Sequence, residues 1–173
     1  IGRIVMRPGG VGRNIAQHAA RFGAACTLLT VFGDDPLADA LRAACRREGI
    51  DISHALNAHG AACTYLSVHD GEGDMLVAVN DMALAARLSP AYAAEALPVI
   101  DQSDLCVLDA NPPAETLRYI AQQPRAPLLM DPVSCAKIDR AQAVLPYLAA
   151  IKPNIHEARA LTGCHAAQDC ARK

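Results

Sequence analysis

An α/β fold with one small β excursion is the class this sequence predicts. Three observations carry that reading. Apolar runs of strand length alternate with stretches of helical spacing. Turns bearing Gly and Pro separate them. Midway, two strand-like runs joined by Gly71-Glu72-Gly73 interrupt the alternation. No internal repeat or low-complexity linker divides the chain, so residues 1–173 read as one domain.

In chain order, Ile4, Val5 and Met6 form a short extended run that Pro8-Gly9-Gly10 breaks. Residues 14–22 have helical spacing, with Ile15, Ala19 and Phe22 on one face and Gly23 as a C-terminal cap. Residues 25–31 are an apolar run, the mark of a strand buried on both faces. Gly33-Asp34-Asp35-Pro36 supplies a turn, a carboxylate cap and a proline near the first helical position. The helix that follows covers 37–48 and ends at Gly49. Strands at 64–69 and 75–80 make a hairpin, with a lid spanning about 62–82. The faces of that hairpin do not belong to the main sheet, which is how a flap is built. The alternation then resumes, with a strand at 105–108, a helix at 113–122 and a strand at 127–130. A helix at 141–148, a short strand at 150–151 and a helix from Asn154 to Thr162 complete it, with Gly163 closing the last.

Composition narrows the function classes. Apolar residues make up 52% and charged residues 20%, a soluble globular balance. A net charge of −2 offers no basic field for nucleic acid or an anionic membrane. With no Trp and two Phe, base-stacking platforms are scarce. No apolar run reaches bilayer length. The seven cysteines form no C-x-x-C pair, which points to free thiols in a reducing cytoplasm. Cys26 and Cys106 read as small core residues. His18, His156 and His165 lack partners at metal-ligand spacing.

In a parallel α/β sheet, ligands bind beyond the carboxyl ends of strands. Residues 8–14, 33–35, 109–112 with 131–137, and 152–157 meet that description. In Pro8-Gly9-Gly10-Val11-Gly12-Arg13-Asn14, the glycines let a ligand approach the backbone, and the following helix points N–H groups at it. Asn14 can donate to and accept from hydroxyls. A turn that only caps a helix is the competing reading. Neither a dinucleotide loop nor a Walker loop fits, because Ile15 stands where the first needs Gly and no Gly-Lys-Ser/Thr occurs. Lys152-Pro153-Asn154-Ile155-His156-Glu157 opens a helix with Asn154 and Glu157 on one face. They could organise hydrated Mg²⁺ beside a phosphate. They also spell a capping box, which is the reading these residues favour by themselves. Asp34 and Asp35 read as helix caps rather than an acid–base pair.

Pro-Gly-Gly-x-Gly-x-Asn before a helix, the 31–35 stretch, the two-stranded flap and the Lys-Pro-Asn-x-x-Glu helix start occur in the order of the PfkB-type carbohydrate kinases. The sequence resembles that family over nearly its whole length. Residues 9–16, Asn80-Asp81-Met82 and Asp131-Pro132-Val133-Ser134 are most similar to its pseudouridine kinases. The resemblance implies a ribokinase-like three-layer sandwich with a hairpin lid. It implies transfer of phosphate from ATP, with Mg²⁺, to the ribose 5′-hydroxyl of pseudouridine in the cytoplasm. Kinases for ribose, adenosine or another sugar or nucleoside are the alternative, as is a non-catalytic nucleoside-binding module. By the same likeness Gly9, Gly10 and Asn14 bind ribose, and Thr64, Asn80 and Asp81 on the flap contact the nucleoside. Asn154 and Glu157 organise Mg²⁺. The family's flaps often pair between subunits, which implies a homodimer through the lid. Its first strand carries an Asp that contacts the sugar, and its Gly-Ala-Gly-Asp signature carries the catalytic base and anion hole. Neither occurs here, so the domain is expected to be incomplete and no residue of the chain is expected to be the catalytic base.

Overall fold

Helix α1 (Val11–Arg21) begins where Gly10 adopts φ +94°, a backbone state that a side chain would strain. It starts earlier than its apolar spacing suggests, because Arg13 in the first turn folds back onto the glycine loop before it. The computed structural model describes residues 2–123 and 125–172. They fall into two compact units, Ile1–Arg87 and Leu88–Lys173. In the first, residues 4–6 do not form the expected strand. A strand requires a hydrogen-bonded partner, and no described strand includes or pairs with them, so Ile4 and Met6 are exposed.

The run 25–31 also departs from expectation. Only its last residue enters a strand, β1 (Val31–Phe32), which pairs in parallel with β2 (Leu56–Asn57). Upstream, among the described residues, the chain bonds along one side alone. Leu28 N donates to Asp51 O (2.8 Å), Leu56 N to Thr30 O (2.8 Å), and Thr27 bridges Asp51. Ala25 and Thr27 are exposed. An apolar run predicts burial on both faces only when elements cover both.

Helix α2 (Pro36–Arg47) starts as its residues dictate. The Asp35 carboxylate accepts from Ala38 N (2.8 Å), and Pro36 opens the first turn. Ala38 and Cys45 pack with Phe32, Ile50 and Ala62 into the core, against which Ala16 and Ala20 of α1 lie. Arg21 and Gln17 of α1 both reach Glu48 at the end of α2, at 2.7 Å each. The Arg21 hydrogen bond, then that of Gln17, holds the Glu48 carboxyl down to about 2. A depressed carboxyl contributes stability above its unfolded value of ~4.3 and loses it as pH falls toward the folded value. Glu48→Gln therefore removes part of the acid sensitivity between pH about 4.3 and 2. Urea melts at several pH values check this, and equal acid sensitivity in both proteins contradicts it.

The hairpin forms as expected from β3 (Thr64–His69) and β4 (Met75–Asp81), antiparallel, with a bulge between Val68 and His69. Asp70 Oδ1 ties the turn by accepting from Glu72 N and Asp74 N, each at 2.9 Å. Both faces are open. Tyr65, Leu66, Val68, Met75, Val77 and Val79 are all exposed.

In the second unit, α3 (Pro90–Asp101) matches none of the expected elements. Its start is well marked by the Ser89 cap and Pro90, but Pro98 lies inside it and its two faces differ little in polarity. The strands β5 (Cys106–Asp109), β6 (Leu128–Asp131) and β7 (Ala150–Ile151) make a parallel sheet with β6 central. Helix α4 (Ala114–Gln122) connects β5 to β6 and buries Leu117 and Ile120. Cys26 and Cys106 are half-buried rather than core residues, because Cys26 lies ahead of β1 and Cys106 is the first residue of β5, each at the rim of its packed segment. Desolvation pushes the Cys106 thiol up to about 11. The helix expected at 141–148 is instead α5 (Ile138–Gln142) and a 3₁₀ turn, Leu145–Tyr147. Pro146 cannot donate to an α-helical ladder and disfavours the α state in the residue before it. Helix α6 (Ile155–Thr162) ends at Gly163 with φ +71°, and α7 (Ala167–Cys170) follows.

Candidate functional site

The candidate residues lie in three places: the glycine loop and the hairpin root in the first unit, and the carboxyl ends of the parallel strands in the second. In the first unit the glycine loop is held from behind by Arg13, which is only 9% exposed. Its Nε donates to Gly9 O and its Nη2 to Pro8 O, both at 2.8 Å. A third contact reaches the Asn14 side-chain oxygen. Arg13 thus sets the loop's carbonyls and orients the Asn14 amide, while Asn14 stays exposed. Sequence reasoning missed this role. The available signal was an arginine one helical turn after Gly9, close enough to reach back. A Cβ on Gly9 would meet nothing within 4 Å, so the approach to that backbone is open. Gly10 is required by its positive φ.

The flap candidates meet at the hairpin root. Thr64 pairs with Asp81, and Tyr65 with Asn80. Side chains alternate across a strand, so Thr64 and Asp81 share one face while Asn80 lies on the other with Tyr65. A ligand covered by one face of the flap touches Thr64 and Asp81 or Asn80, but not all three through their side chains. Thr64 Oγ1 donates to Ala62 O (2.9 Å), and Asp81 Oδ1 accepts from Ala83 N (3.1 Å).

In the second unit, the carboxyl ends of the parallel strands gather the other candidates. Asp109 and Asp131 are register partners. Asp109 Oδ1 accepts from Asn111 N (2.8 Å), and Asp131 Oδ1 from Val133 N (2.9 Å). Lys152 Nζ lies 3.4 Å from Asp131 Oδ2. Lys137 contacts the Asn111 side-chain oxygen, and Arg140 Nη1 donates to the carbonyls of Ala110, Asn111 and Pro112 at 2.9–3.1 Å. Val133 has φ +69° and sits in a three-residue turn closed by Ser134 N to Pro132 O (2.7 Å). A β-branched residue in that state stores strain, which is a mark of functional loops.

Asn154 and Glu157 form a complete capping box. Asn154 Oδ1 accepts from His156 N (2.9 Å) and Glu157 N (3.0 Å), and Glu157 Oε2 accepts from Asn154 N (2.8 Å). Glu157 is buried at 4% exposure. Among the described residues no three His, Cys, Asp or Glu side chains group as a metal cage. Asn154 Oδ1 already accepts two N–H groups, so the carboxylate of Glu157 supplies the hard oxygens left to a cation. Such hard oxygens suit Mg²⁺ that keeps most of its waters and leans on a phosphate. No helix of the described residues is long and apolar enough to cross a membrane.

Comparison with known proteins bears on this geometry. The profile of the pfkB family carbohydrate kinases matches residues 1–172. A pseudouridine kinase of Escherichia coli is 35% identical over 164 residues, 94% of this chain and 52% of that protein. An uncharacterised sugar kinase of the same organism is 30% identical over 99% of this chain and 48% of its own length. A carbohydrate kinase structure from Agrobacterium tumefaciens superposes with a TM-score of 0.83 at 27% identity, over 95% of this chain and 55% of that one. The fold is therefore ribokinase-like α/β, and the chain spans about half the length of the relatives it matches.

Proposed function

The chain belongs to the pfkB family of carbohydrate kinases, and from that premise we propose that it supplies the nucleoside-binding part of a pseudouridine kinase. The observation that carries the reading is the loop of Gly9 and Gly10 with Asn14, braced by Arg13 and open to a ligand. In this reading the loop and Asn14 hold the ribose, and Thr64 and Asp81 or Asn80 cover the nucleoside from the flap. The phosphoryl donor is ATP. Mg²⁺, when bound, neutralises charge on the transferring phosphates, and Asn154 and Glu157 hold its waters. The residues 1–173 form part of one ribokinase-like domain. The open apolar flap also supports pairing with a second flap, hence a homodimer.

The substrate test is a competition assay. At equal concentrations, an enzyme of the family's full length carrying this sequence phosphorylates pseudouridine in preference to uridine, adenosine and ribose. A site that pairs the extra ring N–H of pseudouridine leaves a buried acceptor unsatisfied by the others. Preference for ribose or adenosine moves the assignment to another sugar or nucleoside kinase.

Two substitutions test the residues. Asn14→Ala raises KM for the nucleoside roughly 5- to 150-fold, the equivalent of about 1–3 kcal/mol for hydroxyls left unpaired, with KM for ATP unchanged. Equal effects on both substrates remove Asn14 from the sugar site. Glu157→Gln keeps an oxygen for the capping bond and removes the charge. Turnover falls and the Mg²⁺ requirement rises, with Tm little changed. Lower Tm at unchanged Mg²⁺ dependence assigns Glu157 to the cap alone.

A further inference from the structure

We infer that Asp34 and Asp35 are positioning residues for the flap, which they hold at its root by clamping the segment 59–62 onto the turn after β1. The inference rests on the flap reading above for its functional consequence, but not for its geometry. Asp35 alone caps α2, and Asp34, expected as a second cap, spends its oxygens on the segment 59–62 instead. Asp35 divides its oxygens. Oδ1 caps the helix at Ala38 N (2.8 Å), while Oδ2 accepts from Ala62 N (3.0 Å), two residues before β3 begins. Asp34 Oδ1 accepts from Gly60 N (3.0 Å), its Oδ2 meets His59 Nδ1 (2.7 Å), and its own N–H donates to Gly60 O (3.1 Å). Gly33 completes the clamp. A Cβ there would stand 2.2 Å from Gly60 O, so the two backbones touch. The backbone N–H of Gly60 holds the Asp34 carboxyl below the usual carboxylate range, and those of Ala38 and then Ala62 do the same for Asp35.

The other root of the hairpin is held differently. After β4 the chain enters a 3₁₀ turn, Ala83–Arg87, that buries Leu84 and Ala85 beside β1. Apolar contact of that kind is non-directional. Hydrogen bonds are directional. The one from Ala83 N to Asp81 on the β4 side stays within two residues, whereas the carboxylate clamp on the β3 side reaches across 26 and 27 residues to the turn after β1 and so sets the angle at which the flap leaves the unit. Thr64 lies two residues beyond the clamped Ala62 and pairs with Asp81, which ties the flap candidates to the clamp.

Asp35→Asn separates the two duties of Asp35. The remaining carbonyl oxygen still caps Ala38 N, but the new NH₂ cannot accept from Ala62 N. Asp35→Ser, with one oxygen, keeps the cap by a different chemistry and serves as the second variant. Amide hydrogen exchange is measured on the chain, with pseudouridine binding followed by calorimetry. In both variants exchange in 60–66 rises at least ten-fold while α2 exchange is unchanged, and pseudouridine affinity falls several-fold. Unchanged exchange in 60–66, or exchange raised equally in α2, overturns the clamp. Raised exchange in 60–66 alone with pseudouridine affinity unaltered, or with no binding in either protein, upholds the clamp and counts against the flap reading instead.

Discussion

Gly33→Ala lowers the melting temperature of the chain by on the order of 10 °C. Gly33 is buried at the end of β1, and a Cβ there would lie 2.2 Å from Gly60 O and 3.0 Å from Ala62 N. Both neighbours are backbone atoms, so no side-chain rotation relieves the clash. Either β1 or the segment 59–62 must move, which breaks the bond from Ala62 N to Asp35 and the pair between Asp34 and Gly60. Overpacking of this kind costs about 1–3 kcal/mol. For a unit of roughly 60–100 residues each kcal/mol shifts Tm by ~4–8 °C. Calorimetric melts of the two proteins decide it. A variant that melts with the parent means that the close approach is absent in solution.

The second result expected is a complete loss rather than a shift. The polypeptide 1–173, purified by itself and given pseudouridine, ATP and Mg²⁺, releases no ADP above a no-protein control. Phosphoryl transfer depends on positioning and on charge stabilisation around the transferring group. The Gly-Ala-Gly-Asp sequence to which the resemblance assigns the base and anion hole does not occur in these residues. In the function proposed above, holding the ribose at Asn14 and the waters of Mg²⁺ at Asn154 and Glu157 would not replace it. A coupled ADP assay with the nucleoside in excess is the measurement. Turnover above the control means that another group in this chain serves as base, and Asp109 and Asp131 at the carboxyl ends of β5 and β6 become the first to substitute. The same preparation tests solubility. The apolar side chains open on both faces of the hairpin make self-association the expected behaviour. A monodisperse monomer contradicts that and the homodimer alike.

Signals confined to a few neighbouring residues were legible in the sequence. The cap at Asp35 with Pro36, the hairpin around Gly71-Glu72-Gly73 and the capping box of Asn154 and Glu157 each depend on groups within one turn of each other. Local spacing determines which backbone N–H a side-chain oxygen can reach, so these elements stand where the residues place them. Helix α3 was hidden for the complementary reason. Its cap is local, but Pro98 and its weak division into polar and apolar faces mask the helix behind it.

What the sequence could not decide depends on what lies across space. An apolar run at 25–31 specifies that burial is favourable, but tertiary structure covers it on one side and leaves Ala25 and Thr27 exposed. Residues 4–6 have strand character and no described partner. Asn80 and Asp81 are neighbours in sequence, yet the pleat sends them to opposite faces of the flap. Asp35 declares its cap within three residues, whereas its second oxygen binds an amide 27 positions away. By itself, then, the sequence determined the local elements and the family order of their motifs. Only the tertiary structure decided which strand edges are paired and which second partner each carboxylate takes. Local hydrogen bonds are set by chain geometry over a few residues, while long-range ones exist only after loop closure has brought distant segments together.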